Sequence, residues 1–232
     1  MKKRNNSCVN TLIPNAVFET MRTYGGKVFA LNEHLERLFR SAELLGIEPK
    51  NSQSDILREI GYCPTESKVR VHLTAEKFMV QILPLPSVDA KIYTQGVEVC
   101  DRMFERPFPR AKYETLMYEE ILNTQGAYFE TLFFSDDGFL REGNISNVFA
   151  VIEGKVVTPK KNILLGVTRE KVVQLIKENN IPFEEREVSQ EELMTADEIF
   201  LTNTTKEIIP VRKWRKWTSS NFKIAKTLRE AF

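Results

Sequence analysis

The feature that most restricts the fold is a β-hairpin near the N-terminus that leads directly into an amphipathic helix. Residues 17–22 alternate between two faces with the period of a strand, and Gly25-Gly26 allows the tight turn that reverses the chain. Apolar residues then recur at helical spacing over 35–45, with Asn32 as the expected N-cap. Because a hairpin and a helix alternate here, the sequence predicts a mixed α/β fold of the α+β type rather than a simple parallel βαβ sandwich.

Strand and helix patterns continue along the rest of the chain. The residues 102–110 are irregular and contain Pro107 and Pro109, so we expect a linker there, between an N-terminal domain at 1–104 and a C-terminal domain at 105–232. Thr168 is the expected cap of one of the later helices. The pattern predicts strands at 68–74, 78–85, 90–101, 128–135, 147–153, 155–158, 183–188, 198–201 and 207–212, and helices at 52–60, 113–125, 169–179 and 219–230.

Composition excludes several classes of protein. The 33 lysines and arginines nearly balance the 32 aspartates and glutamates, which argues against a nucleic-acid binder that works through overall positive charge. No apolar run approaches the roughly 18 residues that a membrane span needs. The N-terminal residues are basic but lack the apolar core of a signal peptide. Three widely spaced cysteines predict neither a disulfide framework nor a metal site, so we expect a cytoplasmic protein.

Three short segments have the chemistry to bind an anion. The Gly166-Val167-Thr168 segment opens a predicted helix, whose first N–H groups and dipole favour a phosphate. Four small polar residues at 202–205 lie between predicted strands, and Arg37 lies on the first helix. Taken singly, such features are usually a cap, a turn and a surface charge. Lys112 and Glu142 are two further charges that spacing alone would leave in solvent.

Six segments, taken in order, change this interpretation. They are 17–22 with the Gly25-Gly26 turn, 34–38, Lys112, 140–149, 163–169 and 200–211. Together they resemble the class IV, or fold type IV, pyridoxal-phosphate enzymes, which include branched-chain aminotransferases, D-amino acid aminotransferases and 4-amino-4-deoxychorismate lyases. The resemblance implies an N-terminal α/β sandwich, a C-terminal pseudo-barrel, a cofactor between them and a homodimer.

The resemblance also implies a role for individual residues around pyridoxal 5'-phosphate. Lys112 matches the lysine that forms the Schiff base with the cofactor and then moves the proton at the substrate α-carbon. Glu142 matches the carboxylate beside the pyridine nitrogen, which keeps the ring an electron acceptor. Leu164 matches the residue that packs on one ring face. The phosphate cradle matches Arg37, the N–H groups of Val167 and Thr168, and the Thr204 hydroxyl.

On the substrate side, Phe18 matches a pocket residue, and Thr205 shares with Thr204 a turn that can hold a substrate carboxylate. Arg70 and His72 share one face of a predicted strand. They are candidates to face the pocket, although a surface pair is the more common arrangement for such residues. Arg102, Arg106 and Arg110 in the linker are open to two interpretations, attraction of a dicarboxylate or a solvated loop, with the loop slightly favoured.

The chain lacks a loop that carries substrate-carboxylate ligands in several members of the resembled family, since residues 68–74 lead directly into a short hairpin. This compactness favours a lyase of the 4-amino-4-deoxychorismate type, in which α-proton removal is followed by elimination of pyruvate to give 4-aminobenzoate. One alternative is an aminotransferase that moves an amino group from a branched-chain or D-amino acid to a 2-oxo acid. Another is a catalytically silent scaffold. Under both enzyme interpretations, the expected partner is a small-molecule substrate, either an amino acid or an amino-carboxylate.

Overall fold

The computed structural model describes residues 14–63, 65–114 and 128–232, which form two sheets. The smaller sheet is antiparallel, with the strand order β2-β1-β3-β4. Two helices pack on one face of it through buried aliphatic side chains, which form the core of this half. The elements are β1 (Val17–Tyr24), β2 (Lys27–Val28), α1 (Leu31–Leu44), α2 (Gln53–Ile60), β3 (Ser67–Leu73) and β4 (Phe78–Pro84).

The larger sheet contains nine strands and curls into a half-barrel. Along its main path the order is β10-β9-β8-β11-β12-β5-β6-β7, and β13 pairs with β12. The strands are β5 (Val97–Met103), β6 (Glu130–Phe134), β7 (Leu140–Gly143), β8 (Asn147–Ile152), β9 (Lys155–Thr158), β10 (Phe183–Glu185), β11 (Glu198–Asn203), β12 (Glu207–Trp214) and β13 (Trp217–Thr218).

Alternating residues of this large sheet face two separate cores. Val148 and Leu201 belong to one core, whereas Phe149 and Phe200 stack on each other in a second core beneath two helices. Period-two alternation is what separates the two sets. The remaining helices of the described ranges are α3 (Lys91–Thr94), α4 (Val167–Glu178), α5 (Gln190–Leu193) and α6 (Lys223–Ala231).

The hairpin, α1 and α2 are confirmed, but the predicted cap of α1 is wrong. The helix begins at Leu31 and its N-cap position is Ala30, which has a left-handed backbone with φ 48°. Asn32 is therefore already helical. Thr168 is likewise inside a helix rather than capping it, because α4 begins at Val167 and Gly166 is the N-cap. By contrast, Ser52 caps α2 through a capping box with Asp55.

The predicted strand at 90–101 is also only partly right. Residues 91–94 form the single turn α3, and Gly96 then takes a positive φ of 69°, a conformation in which glycine avoids the steric cost of a Cβ. The strand β5 begins only at Val97. The short elements α5 and β13 were not predicted. The helix predicted at 113–125 lies outside the described residues, apart from its first two positions.

Residues 97–103 pair with β12 and β6, and so belong by hydrogen bonding to the larger sheet. Hydrogen bonds between strands do not by themselves define domain boundaries. The division into domains at 1–104 and 105–232 therefore stays a prediction. Within the described ranges, no helix combines the length and the apolar character that a bilayer crossing requires.

Candidate active site

The first component of the site is a buried ion pair between β1 and α1. Arg37 donates from Nε to Glu19 Oε1 at 2.6 Å and from Nη2 to Oε2 at 2.7 Å, and His34 Nδ1 lies 2.8 Å from the same carboxylate. Glu19 and His34 are fully buried. Burial alone would raise the pKa of Glu19, but the charge of Arg37 and the contact with His34 hold it well below its usual range.

Glu19 is a residue that the sequence analysis did not single out. The signal was present, because Glu19 falls on the same strand face as the buried Val17 and Met21. An ionisable residue on an apolar face requires a partner. Arg37, interpreted from spacing alone as a surface charge, is in fact only 8% exposed.

Arg37 links this ion pair to the N-terminus of α4. Its Nη1 donates to the Leu165 carbonyl at 3.1 Å, one residue before the Gly166 cap. A Cβ on Gly166 would overlap Oδ1 of Asn147, whose Nδ2 donates to the Leu164 carbonyl at 2.8 Å. Glycine is therefore required for this close approach of the loop to β8.

Donor groups converge at the same helix end. The first N–H groups of a helix lack partners within it, so those of Val167 and Thr168 are available to an anion. The hydroxyls of Thr168 and Thr204 lie 3.4 Å apart, which brings the turn after β11 to this point. Thr202 Oγ1 is buried without a hydrogen-bond partner among the described residues. A guanidinium, two hydroxyls and two N–H groups form a donor set suited to phosphate.

Lys112 lies beside the edge of the small sheet. Its N–H donates to Ser41 Oγ at 3.0 Å, and its carbonyl accepts from the Phe18 N–H at 3.1 Å. The amine is 4.8 Å from the centre of the Phe18 ring. Burial and the charge of Arg37 lower the pKa of Lys112 to about 8. The uncharged form of this amine is therefore far more populated near neutral pH than it would be at its ordinary pKa, although the charged form still predominates.

Glu142 is held in β7 by two kinds of donor. Arg106 donates to Oε1 from Nε at 2.8 Å and also from Nη2, and the Leu164 N–H donates to Oε2 at 3.0 Å. Burial raises the pKa of Glu142, and the Arg106 ion pair opposes that rise. The charge of Lys112 acts on Glu142 as well, so the amine and the carboxylate share one site.

Of the three linker arginines, only Arg106 departs from the solvated loop that was favoured from sequence, whereas Arg102 and Arg110 are exposed. Arg106 has a side chain only 9% exposed and is paired with Glu142. Arg110 donates to the Lys160 carbonyl at 2.9 Å. Arg102 lies in β5 and is exposed. The interpretation is therefore corrected for Arg106, because the fold brings β7 alongside the linker.

Arg70 and His72 form a hydrogen-bonded pair that is partly exposed, and both side chains also pack on the Phe18 ring. The guanidinium of Arg70 lies 4.7 Å from the centre of the Phe18 ring, and the His72 ring stacks on Phe18 at 6.0 Å. Arg70 also donates to His72 Nε2 at 2.8 Å and pairs with Glu114. Strand register explains this, because Phe18 and His72 are directly paired across β1 and β3. Both residues therefore adjoin the Lys112 amine through Phe18.

The 203–206 turn that carries Thr204 and Thr205 is closed by Asn203. Its Oδ1 accepts from the Lys206 N–H at 2.9 Å and from the Thr205 hydroxyl at 3.4 Å. Leu164, the predicted ring-packing residue, is buried beside Glu142. The structure thus brings the predicted residues of the site into one continuous region between the two sheets.

Comparisons with known proteins show the family to which the chain belongs. Residues 16–214 match the family model described as amino-transferase class IV. The chain is 33% identical to a probable branched-chain-amino-acid aminotransferase of Thermotoga maritima, covering 87% of this chain and 78% of the relative. It is 30% identical to a D-alanine aminotransferase of Bacillus licheniformis, covering 85% and 78%.

Comparison with solved structures also indicates this family. A crystal structure of a putative branched-chain amino acid aminotransferase of Thermotoga maritima superposes with a TM-score of 0.82 at 32% identity, covering 94% of this chain and 84% of the other. A putative 4-amino-4-deoxychorismate lyase of Legionella pneumophila shares the fold, with a TM-score of 0.79 at 20% identity, covering 94% and 90%. The chain therefore belongs to the class IV aminotransferases and is an enzyme.

Proposed function

We propose that this enzyme uses pyridoxal 5'-phosphate to transfer an amino group between an amino acid and a 2-oxo acid. The observation that carries the proposal is the Lys112 amine, whose pKa is lowered to about 8 in a site shared with Glu142 and Arg37. The curated relatives described above are named aminotransferases, whereas the lyase match is a likeness of fold at 20% identity. We therefore place aminotransfer before elimination.

The donor set fits the phosphate of this cofactor. Arg37, the first N–H groups of α4 and the Thr204 hydroxyl would hold the phosphate, since they converge at one helix end. Glu142 would face the ring nitrogen, and Leu164 would pack on the ring. When bound, the cofactor supplies an electron sink for the negative charge that develops at the substrate α-carbon.

Lys112 then has two tasks that its surroundings support. An uncharged amine is the form that attacks a carbonyl, and burial together with Arg37 makes that form accessible near neutral pH. The same amine can take and return the proton at the substrate α-carbon, because its pKa lies close to the working pH. The Phe18 ring, whose centre lies 4.8 Å from the amine, would restrict the direction of the amine.

Phe18, Arg70 and Thr205 are the proposed substrate contacts. Arg70 is half-buried and lies over the Phe18 ring, where a guanidinium can bind a carboxylate of the substrate with two parallel hydrogen bonds. Its ion pair with Glu114 would then have to open or be shared. The proposed substrate is accordingly an amino acid whose carboxylate is bound on the Phe18 side of Lys112.

One observation favours the lyase as a second candidate. The strands β3 and β4 are joined by a tight turn closed by a hydrogen bond from the Thr74 N–H to the Lys77 carbonyl at 2.9 Å. This turn leaves no room, between these two described strands, for the arginine-rich loop that the family resemblance implies for binding a substrate carboxylate. An elimination driven by aromatisation of its product needs fewer substrate contacts than the exchange of two amino acids.

The cofactor proposal is tested by titrating the protein with pyridoxal phosphate. The wild type should develop a visible absorption band, and Lys112→Ala should not, because it lacks the amine. Lys155→Ala is a matched control, since Lys155 lies on the exposed side of β9 in an ion pair with Glu184. Wild-type protein without the band would contradict the cofactor proposal.

The two enzyme candidates are separated by their need for an acceptor. Glutamate formed from an amino acid and 2-oxoglutarate would support aminotransfer. Pyruvate released from 4-amino-4-deoxychorismate without any oxo-acid acceptor would support the lyase and overturn our order of preference. We also propose a homodimer, as the family resemblance implies, which light scattering on the loaded enzyme would check.

A further inference from the structure

A second buried carboxylate lies in the large sheet, whereas Glu19 lies in the small sheet. Glu130, the first residue of β6, is fully buried although it carries no role in the proposed reaction. Its Oε1 accepts from the Ile145 N–H at 2.9 Å, and its Oε2 accepts from the Ser146 hydroxyl at 2.8 Å. A buried carboxylate is costly to maintain, so its contacts indicate what it does.

The first contact organises the 143–146 turn next to Glu142. The Gly143 N–H donates to the Ser146 carbonyl at 2.7 Å, which closes the turn. A Cβ on Gly143 would collide with Oε1 of Glu130. The glycine that follows Glu142 is therefore required by the side chain of Glu130, and the turn is wrapped around that carboxylate.

The second contact extends to the turn that carries Thr204. Ser146 Oγ accepts from Asn203 Nδ2 at 3.0 Å, and Asn203 Oδ1 in turn holds the Lys206 N–H. A chain of side-chain hydrogen bonds thus leads from Glu130 to the 203–206 turn. That turn places the Thr204 hydroxyl 3.4 Å from Thr168 at the start of α4.

We propose that Glu130 is a positioning residue that, through Ser146 and Asn203, holds the 203–206 turn so that Thr204 faces the phosphate end of the site. The inference rests on the proposed function, because it takes that end to bind the cofactor phosphate. Glu130 does not touch the cofactor in this scheme. It acts by holding the Thr204 hydroxyl in one orientation, so that less conformational entropy is lost when the phosphate binds.

The test compares pyridoxal phosphate with pyridoxal, which lacks the phosphate but offers the same aldehyde to Lys112. Ser146→Ala and Glu130→Ala should each weaken pyridoxal phosphate by about tenfold or more, the size of one hydrogen bond to a charged group. Pyridoxal affinity should change little. Inorganic phosphate should show a parallel loss when it competes with pyridoxal phosphate.

Glu198→Ala is the matched control. Glu198 is also a buried carboxylate of the large sheet, but it accepts from the Ile224 and Ala225 N–H groups at the start of α6, away from the site. Glu198→Ala should lower the free energy of unfolding without changing the ratio of the affinities for pyridoxal phosphate and pyridoxal. A ratio that shifts equally in Glu198→Ala and Ser146→Ala would overturn the proposal, because it would show a general structural effect.

A double-mutant cycle tests the route through Thr204. In a Thr204→Val background, Ser146→Ala should have little further effect on the affinity ratio, and full additivity would contradict the proposed route. If Glu130→Ala does not fold, Ser146→Ala decides the question, since it leaves the Ile145 contact intact. Wild-type protein that binds neither ligand would instead mean that the proposed function has failed.

Discussion

Glu19 and Glu130 are both fully buried carboxylates on β-strands that border the site, yet their charge states diverge. Glu19 is paired with the Arg37 guanidinium, and its pKa falls far below the usual range. Glu130 accepts hydrogen bonds from neutral groups, and burial raises its pKa to about 7. Burial is the same in the two cases, so the partner decides whether the carboxylate keeps its charge.

The difference separates two ways of building a binding site. The Glu19 pair fixes a permanent cation, because Arg37 needs a buried counter-charge to remain close to the Leu165 carbonyl. Glu130 instead fixes neutral donors, because its two oxygens accept from Ile145 and Ser146 in the 143–146 turn. In the proposed site, one carboxylate would therefore set the electrostatics of the phosphate end, and the other would set its geometry.

Removing the cation should have the largest effect. Arg37→Met leaves Glu19 buried without its guanidinium, and breaking a buried pair costs about 3–5 kcal/mol. Urea unfolding of the two proteins measures this loss. Arg40→Met, at an exposed position of the same helix, should change the free energy of unfolding by no more than about 0.5 kcal/mol. Equal losses in both variants would contradict the comparison.

The two carboxylates should also differ in their response to pH. The pKa of Glu130 is raised from 4.5 to about 7, so the folded state keeps a proton that the unfolded chain releases. Wild-type stability should therefore fall as the pH rises through that window, by up to about 3 kcal/mol. Position 130 does not titrate in Glu130→Gln. The free energy of unfolding that this variant loses relative to the wild type should therefore decrease between pH 5 and pH 8.

Glu19→Gln provides the contrast for that experiment. The Glu19 carboxylate is ionised in the folded state across the same range, and the unfolded carboxyl titrates below it. The cost of Glu19→Gln should therefore stay constant from pH 5 to pH 8. A cost that changes as steeply as that of Glu130→Gln would show that the two carboxylates do not differ in the way described.

The smallest expected effect concerns the third member of the Glu19 cluster. His34→Phe keeps an aromatic ring but removes the donor to Glu19, which should cost about 2 kcal/mol of stability in urea unfolding. The other ring nitrogen, Nε2, is buried without a partner among the described residues. Replacing it with a carbon atom of Phe therefore removes no hydrogen bond there. His72→Phe, at a partly exposed position, is the control and should cost less.

Local sequence patterns predicted most of the elements, and the order of motifs predicted the family. The hairpin at Gly25-Gly26 and the helix after Ser52 form as expected, because each depends on residues close in sequence. The predicted caps at Asn32 and Thr168 were wrong. Thr168 is bonded to Thr204, far along the chain, and a contact of that kind leaves no local pattern.

By itself, the sequence determined which reactive groups are present and the family to which their order belongs. Lys112, Glu142 and Arg37 follow from motifs that need no coordinates. Only the tertiary structure decided the partners of those groups, because the partners are remote in sequence. Arg37 and Leu165 are 128 residues apart, and Ser146 and Asn203 are 57 apart. Charge state and orientation depend on distances in space, so the roles of Glu19 and Glu130 emerged only from the folded chain.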